Sequence, residues 1–546
     1  MRRYATKLLV ACLLISATAQ AATLYCGPSS TGAGTGANFS NLLRLPDTTG
    51  FTRGNVYIIV EGSYGTRTLS SATSGSTTIT IRKASAADSG VTGYSSSLHD
   101  AAATFADLYV VTRYWIVDGV TRTETTRMEA PAGYGIRVTG TIYANSISGD
   151  DADFCQFSYL DVGAAWTTGS GSVASYAQAA IYFVYDQANI TFTRCVFHNS
   201  GHNGALAMMH GSSDIIFDHC DFYQGWGKAT IATPNVGQNR HTIRYCRFWN
   251  SSQRDPSPDV EGAGLTCELG TYSYSGTTTE NLVYGCIFYS TATGGRNACI
   301  FYGEPSPGPS AINCKVFNNT FVGFAEDSVF SEIYLNGGSG NEVRNNLFWD
   351  TVGSMNITAN SVSNNVDASS DPFVDYANRD FRLARPIAGI SLSSPYNIDP
   401  SGATRGVDGT WDVGAMEFST GDGTAPTPTP TPVPTPTPPP TAPNPPTGLQ
   451  VVQPTPAPAP TPTPPPSNSA NIQVGNRVAV AIAPSLRVRL NPQLAATILG
   501  EQPQGALGTV VSGPTTADGY EWWLIDYDIS PDGWSIEGDS WLILAP

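Results

Sequence analysis

The sequence predicts an all-β chain: a right-handed parallel β-helix, a single-stranded solenoid, followed by a Pro-rich linker and a small β-barrel. Three observations carry this. A Cys/Asn-x-Phe motif recurs in register through the middle of the chain. A second apolar strand recurs between its copies. Near residue 420 the composition turns abruptly to Pro, Thr and Ala.

The motif has the form apolar-x-x-[Cys/Asn]-x-Phe. It reads Phe192…Cys195…Phe197, Phe217…Cys220…Phe222, Ile243…Cys246…Phe248, Val283…Cys286…Phe288, Val316…Asn319…Phe321 and Val343…Asn346…Phe348, with Cys155 and Phe157 opening the series and Asn365 closing it. A repeat of this length fits one coil of short strands and turns, with inserted loops where the gap is longer. The second strand shows a period-2 inward pattern at Ile181/Phe183, Leu206/Met208, Ala229/Ile231, Leu265/Cys267, Cys299/Phe301 and Ile333/Leu335. Two strands recurring once per coil require parallel sheets stacked about 4.8 Å per coil. Like residues then form columns: cysteines, expected to be buried and to pack as small hydrophobes, continued by Asn319 and Asn346 as turn-forming ladder residues whose amides bond up and down the stack. Asp218 falls below Arg244 and Asp221 below Arg247, which predicts ladder ion pairs on the surface, each worth less than about 1 kcal/mol.

Charged residues are only 13% of the chain, the net charge is −16 and the pI is near 4.7. Lysines occur only at 7, 83, 228 and 315. Such a surface argues against nucleic acid or anionic membranes as partners, and leaves open an acidic glycan held through Arg or bridging Ca²⁺. Arg2, Arg3 and Lys7, the apolar run from Leu8 to Ala17, and Ala19-Gln20-Ala21 read as a secretory signal over residues 1–21. A lipoprotein box at Leu9-Val10-Ala11-Cys12 would need a longer apolar stretch before it. No segment is long enough to span a bilayer. The expectation is a secreted, extracellular or cell-surface protein. Of ten cysteines Cys12 lies in the signal, so nine remain; their odd number and the lack of CxxC spacing signal neither a disulfide framework nor zinc.

The solenoid runs over 22–418. Residues 419–469 form a Pro/Thr-rich linker of polyproline II character, with a reach on the order of 100 Å. Residues 470–546 return to short strands with Gly turns and the adjacent Trp522 and Trp523.

The coil motifs resemble the pectate-lyase-like right-handed β-helix superfamily. The opening Tyr25 to Gly36, Ile79-Thr80-Ile81-Arg82-Lys83-Ala84, and Tyr114 to Gly119 resemble exported members of unassigned activity. So do Asp371-Pro372-Phe373, Asp380-Phe381-Arg382-Leu383, Ser394-Pro395 and Asp412-Val413-Gly414-Ala415-Met416-Glu417. The tail is similar to bacterial SH3-like domains at Val474-Gly475-Asn476-Arg477-Val478, Leu486-Arg487-Val488-Arg489, Gly508-Thr509-Val510, Gly519-Tyr520-Glu521-Trp522-Trp523 and Gly533-Trp534. That resemblance implies a cell-wall peptide or glycan as its ligand.

The first resemblance implies polysaccharide cleavage on the outer face of the helix. Lyases use Lys or Arg as base beside a uronate carboxylate, often with Ca²⁺; hydrolases pair two carboxyl groups. No contiguous hydrolase Asp cluster is present, so a glycoside hydrolase fits less well. The Asp-Pro-His-Asp signature of alginate epimerases is also missing; Asp255-Pro256-Ser257-Pro258-Asp259 lacks its His. Insertions at 163–178, 249–263 and 289–297 should wall one groove. Glu268 and Tyr302 are expected to face it, with His210 and Glu304 at strand ends. Lys228 is the candidate base, and Arg254 or Arg296 would orient a carboxylate. Asp255, Asp259 and Glu261 could supply oxygen ligands to Ca²⁺.

Outward residues after each Phe (His198, Tyr223, Trp249, Tyr289, Val322 and Trp349) form a stripe that either stacks on sugars or covers a sheet corner. Two functions remain open: a lyase on an acidic glycan, or a non-catalytic surface or matrix protein for glycan binding and adhesion.

Overall fold

Alternation makes the strands. In Ser213–Asp218, Ile215 and Phe217 are buried while their neighbours are half-buried, as period-2 side chains on a one-sided sheet must be. The next strand, Asp221–Tyr223, turns Phe222 inward. A third, Ala229–Ala232, turns Ile231 inward before the next coil begins at Thr242–Arg244. Each strand pairs in parallel with its counterpart one coil away: Phe217 with Ile243, Phe222 with Phe248, Ile231 with Cys267.

These are, in order, the first, second and third sheets of a right-handed parallel β-helix. Two long strands near its start, Gly62–Leu69 and Ala103–Val110, span both second and third positions: Ala103 pairs with Ile136 and Leu108 with Ile142.

The computed structural model describes residues 21–419 and 472–544, apart from 74, 146–151, 164–178, 185–186, 199–204, 210, 224–228, 233–239, 250–264, 269–276, 290–299, 303–309, 324–332, 336, 352–356, 482–484, 490–491, 494–497, 518–519, 528–532 and 538–540. They divide into two compact units at 434/435. Residues 1–20 of the expected secretory signal and most of the expected linker lie outside the described residues. No described helix is long and apolar enough to cross a membrane.

Aromatic columns fill the solenoid. In the second sheet Phe197, Phe222, Phe248, Phe288, Phe321 and Phe348 stack at 4.7–5.1 Å between centroids. Phe157, Phe192 and Phe217 stack at 5.0–5.2 Å in the first. Each contact adds about 0.5–1.5 kcal/mol beyond the area it buries.

The corner between these sheets holds the Cys/Asn column, and its members are hydrogen-bond donors as well as fillers. The thiols of Cys195, Cys220, Cys246 and Cys286 lie 3.4–3.5 Å from the carbonyls of Phe157, Phe192, Phe217 and Ile243, in the coil below. Asn319, Asn346 and Asn365 place Nδ2 on the equivalent carbonyls of Val283, Val316 and Val343 at 2.9–3.0 Å. The thiol is therefore a weak stand-in for the amide.

Asn is also the stronger acceptor: its Oδ1 takes the backbone N–H one coil earlier at 2.9–3.0 Å, Cys286 to Asn319, Asn319 to Asn346 and Asn346 to Asn365, where Cys286 Sγ takes that of Cys246 at 3.4 Å. Burial pushes the Cys155 thiol up to about 12 and raises Cys195 and Cys246. The seven described thiols at 26, 155, 195, 220, 246, 286 and 314 are free and buried.

Not every cysteine joins this column. Cys314 sits in a second ladder at the opposite end of the first-sheet strand, where the N–H of His241 reaches Asn281, that of Cys314 reaches Asn341, and that of Asn341 reaches Asn360. Both corners turn through a left-handed residue just before the ladder side chain. These are Arg194, His219, Tyr245, Gly285, Asn318 and Asn345 in one, and Arg240, Glu280, Asn313 and Gly340 in the other. Non-glycine residues pay roughly 1–2 kcal/mol for that conformation.

The inward pattern of one third-sheet strand differs from expectation. Ala207 and Met209 are the buried pair in Ala205–Met209, because they pair with Ile181 and Phe183; a one-residue slip exchanges the faces of a strand. The last coil is thinly covered. Val362 shares a column with fully buried Val316 and Val343 and is 45% exposed.

In the second unit, strands Arg477–Val480, Ser485–Arg489, Ile498–Pro503, Leu507–Ala517, Tyr520–Tyr527, Gly533–Glu537 and Leu542–Leu544 form one antiparallel sheet. Its core contains Val478, Val480, Val488, Val510, Trp523 and Ile525.

Asn346→Ala should strand the Asn319 N–H and the Val316 carbonyl in a dry corner. The expected loss is roughly 3 kcal/mol, read as a lower urea midpoint at unchanged slope.

Candidate functional site

Two segments decide which outer face could receive a ligand. An arm, residues 120–134, crosses the outside of the second sheet. Arg122 Nη1 is 2.9 Å from Asp221, whose other oxygen is 2.5 Å from Arg247 Nε. Arg247 Nη1 also donates to the carbonyls of Thr125 and Arg127. Glu124 joins Arg122 at 2.8 Å and also pairs with Arg194. The Asp221–Arg247 ladder pair is thus no surface contact: Asp221 is fully buried between two guanidiniums. Removing one partner of such a set costs about 3–5 kcal/mol.

A strap, residues 369–418, covers the rest. Phe373, Phe381, Leu383, Val413 and Ala415 pack with Trp249, Val322 and Leu347, and Met128 of the arm joins them. The Met128 N–H donates to Arg379 O, linking arm to strap. The left-handed corner residues are its moorings. His219 Nε2 lies 3.0 Å from Pro400 O, Asn318 Nδ2 donates to Tyr396 O, and Asn345 exchanges two hydrogen bonds with Ile390.

The aromatic stripe lies under this cover. Trp249 is 4% exposed and stacks on Tyr223 at 4.8 Å. Tyr289 meets Phe381 at 5.2 Å, with Arg379 over its ring. Trp349 meets Tyr376. Trp249 offers no open ring face to a sugar, and the packing favours the corner-covering role for Tyr223 and Tyr289.

The same face holds a pair that the sequence reading passed over. His198 Nε2 is 2.6 Å from Asp161, with Arg137 3.7 Å from that carboxylate. The imidazole stacks on Tyr223 and fits over Gly163, where a Cβ would come within 2.2 Å of the ring. Burial, with Asp161 and Asp221 adding, pushes Tyr223 up to about 12. Enclosed as it is, the pair ties two coils together. Asp161 two residues before Gly163 at the strand end, with Gly163 one coil from the outward His198, was the available signal.

Lys228, Arg254, Arg296, Asp255, Asp259, Glu261, His210 and Glu304 lie outside the described residues. Their anchor points do not. The second-sheet positions Gly163, His198, Tyr223, Trp249, Tyr289, Val322 and Trp349 align in register. From each of them the chain leaves and returns at a third-sheet strand beginning at Ile181, Ala205, Ala229, Leu265, Ile300, Ile333 or Ile357. Every insertion between a second-sheet and a third-sheet strand therefore starts and ends along one edge of the helix, whereas His210 and Glu304 follow the far ends of their third-sheet strands. Lys228 directly precedes Ala229, and Arg296 precedes Ile300 by four residues.

Beside that edge, one register column of the third sheet runs Tyr109, Tyr143, Tyr182, Met208, Ala232, Glu268, Phe301, Tyr334 and Thr358. Tyr143, Tyr182 and Tyr334 are half-buried and Tyr109 is exposed, which makes this the outward column. Glu268 holds the outward register expected of it. Tyr302 does not: it pairs with Leu335, a buried position, and Phe301 is the residue level with Glu268. The inward pair expected at Cys299 and Phe301 is shifted likewise, since Ile300 aligns with Cys267 and Ile333. Among the described residues no three His, Cys, Asp or Glu side chains converge as a metal site.

A family model described as "Right handed beta helix region" matches residues 159–348. The first unit is a right-handed parallel β-helix, the class to which coil geometry and family match both point. Among solved structures, the pectate lyase Pel9A aligns at TM-score 0.41 and 15% identity, over 73% of this chain and 97% of that one. A mannuronic acid-specific polysaccharide family 6 lyase from human gut microbiota aligns at 0.28 and 12%, over 63% and 83%. The PL6 family polysaccharide lyase Pedsa3628 from Pseudopedobacter saltans aligns at 0.27 and 11%, over 63% and 94%. No curated protein matches the chain. At these values the neighbours say nothing about chemistry.

Two outcomes follow from this face. Trp249→Ala should destabilise the protein by about 3–5 kcal/mol, read by chemical denaturation. The second concerns Asp218, 2.8 Å from Arg244 and 2.6 Å from His219. Burial opposes its charge, but the hydrogen bonds and charges of His219 and Arg244 outweigh burial and hold the carboxyl well below the usual range. Its contribution is full above the unfolded value of about 3.9 and is lost as pH falls below that. Asp218→Asn should flatten the decline in denaturation midpoint below about pH 4.

Proposed function

We propose that this is a secreted, glycan-acting β-helix protein that cleaves an acidic polysaccharide by β-elimination along the loop-bearing edge. The observation that carries this is the register: insertions holding Lys228, Arg254, Asp255, Asp259, Glu261 and Arg296 all attach beside the outward column containing Glu268.

Lys228 removes the proton beside the uronate carboxylate, the bond to the glycosidic oxygen breaks, a carbon–carbon double bond forms, and the departing oxygen takes up a proton. Arg254 and Arg296 hold the carboxylate as fixed cations, and Glu268 contacts the sugar from the sheet. Asp255, Asp259 and Glu261 are a hard-oxygen set of the kind Ca²⁺ prefers, and a bound Ca²⁺ would neutralise the substrate carboxylate.

A glycan-display role without turnover is favoured by one feature, the separate antiparallel tail with its own core. Its resemblance to SH3-like domains, joined through the Pro/Thr-rich spacer, suits attachment to a cell-wall peptide or glycan.

The purified full chain, incubated with polygalacturonate and alginate with and without Ca²⁺, should release products absorbing as unsaturated uronates. Lys228→Ala should lower that rate by at least about a hundredfold, as loss of a general base does. Unchanged absorbance and viscosity with both polymers would exclude the lyase and leave display.

A further inference from the structure

Arm and strap close the outer face of the second sheet, and the outward column of the third begins at an exposed residue, Tyr109. There the first three members are tyrosines from successive coils. Tyr143 and Tyr182 lie parallel, 10° apart with centroids 5.7 Å apart. Tyr109 sits 5.4 Å from Tyr143 and tilts away from it by 57°. Tyr109 is 38% exposed, whereas in the covered stripe His198, Trp249 and Val322 are buried and Tyr223, Tyr289 and Trp349 are half-buried, as Tyr143 and Tyr182 are.

Stacking of like residues is expected in any β-helix, and inside this one Phe columns serve packing. The tyrosine row differs in facing outward and in losing its parallel geometry at its most exposed member. A tilted, exposed ring ending a stack presents part of its face as well as its hydroxyl. Tyr joins an apolar face to a polar tip at small conformational cost, which suits it to ligand surfaces. A pyranose has matching features: C–H groups that lie on a ring and hydroxyls that bond to a phenol.

We propose that Tyr109, Tyr143 and Tyr182 form a glycan-binding track, a set of outer subsites for a polysaccharide running along the helix axis. This rests on the reading of the loop-bearing edge as the site of action. Tyr182 and Glu268 share one column and lie three pairings apart, about 14 Å at 4.8 Å per coil. A chain seated over Glu268 and extending toward the first coils crosses the tyrosines. A long polymer engages both regions and a short oligomer only the first, so the track confers preference for chain length and an endo mode of attack.

The test is affinity electrophoresis of the full chain through gels containing polygalacturonate or alginate, with tetramers of each as soluble competitors. Tyr109→Ala should weaken retardation by the retained polymer about tenfold, on the scale of one lost aromatic contact. The competing strength of tetramers should not change. Tyr143→Phe with Tyr182→Phe keeps the rings and packing and should weaken retardation more mildly, which guards against a folding defect in the alanine variant. Wild type retarded by a polymer, with both variants retarded equally, overturns the track and spares the proposed function. Wild type retarded by neither polymer overturns both.

Discussion

A buried donor at each corner must reach a carbonyl in the coil below, and the following coil's side chain must reach back to an N–H. That two-way reach is short, so only Cys and Asn serve in the main column, and the strand after the corner starts where the donor places it. From this follow the Phe columns, the outward register of the ion pairs, and the alignment of strand ends along the loop-bearing edge. The early coils use a thiol, which donates weakly and accepts weakly, as Cys286 Sγ does from the Cys246 N–H at 3.4 Å. The later coils use an amide that satisfies both neighbours.

The left-handed corner residues show how a local cost becomes a tertiary asset. Arg194, His219, Tyr245, Asn318 and Asn345 hold a conformation that glycine would hold more easily, yet glycine could not moor the strap. Four of them, His219, Tyr245, Asn318 and Asn345, hydrogen-bond to residues between Ile390 and Pro400. Strain in the coil and attachment of the strap are one arrangement.

Most of the solenoid was legible because its signals are local and periodic. Cys195 to Asn365 could be placed in one column by counting, and the Asp/Arg ladder followed from the same count. What escaped depends on distant residues. Nothing near Asp221 announces Arg122, ninety-nine positions earlier, so a buried triad was read as a surface pair. Trp249 looks like a sugar platform until Phe381 and Val413 are laid near it. The slip at Ala207 and Met209, and that at Tyr302, arise where small or weakly alternating residues leave register to the neighbouring strands. Of the candidate site, the edge and the outward register of Glu268 were legible, because both follow from connectivity and pairing. Convergence of the loop side chains is a property of loop conformation, which periodicity does not encode.

The arm and the strap also change what kind of object the solenoid is. A stack in which each coil touches only its neighbours behaves like a one-dimensional array and frays from its ends, and the exposed Val362 marks where fraying would begin. Here Met128 and Arg379, 251 positions apart, share a hydrogen bond, and the strap is moored on coils from His219 to Asn345. To peel away the last coil, the chain must first release contacts that bridge the middle of the stack. The last coil is thereby coupled to the middle of the stack, so that its opening, and with it access for a protease, depends on contacts far along the axis and not on the equilibrium stability of that coil alone.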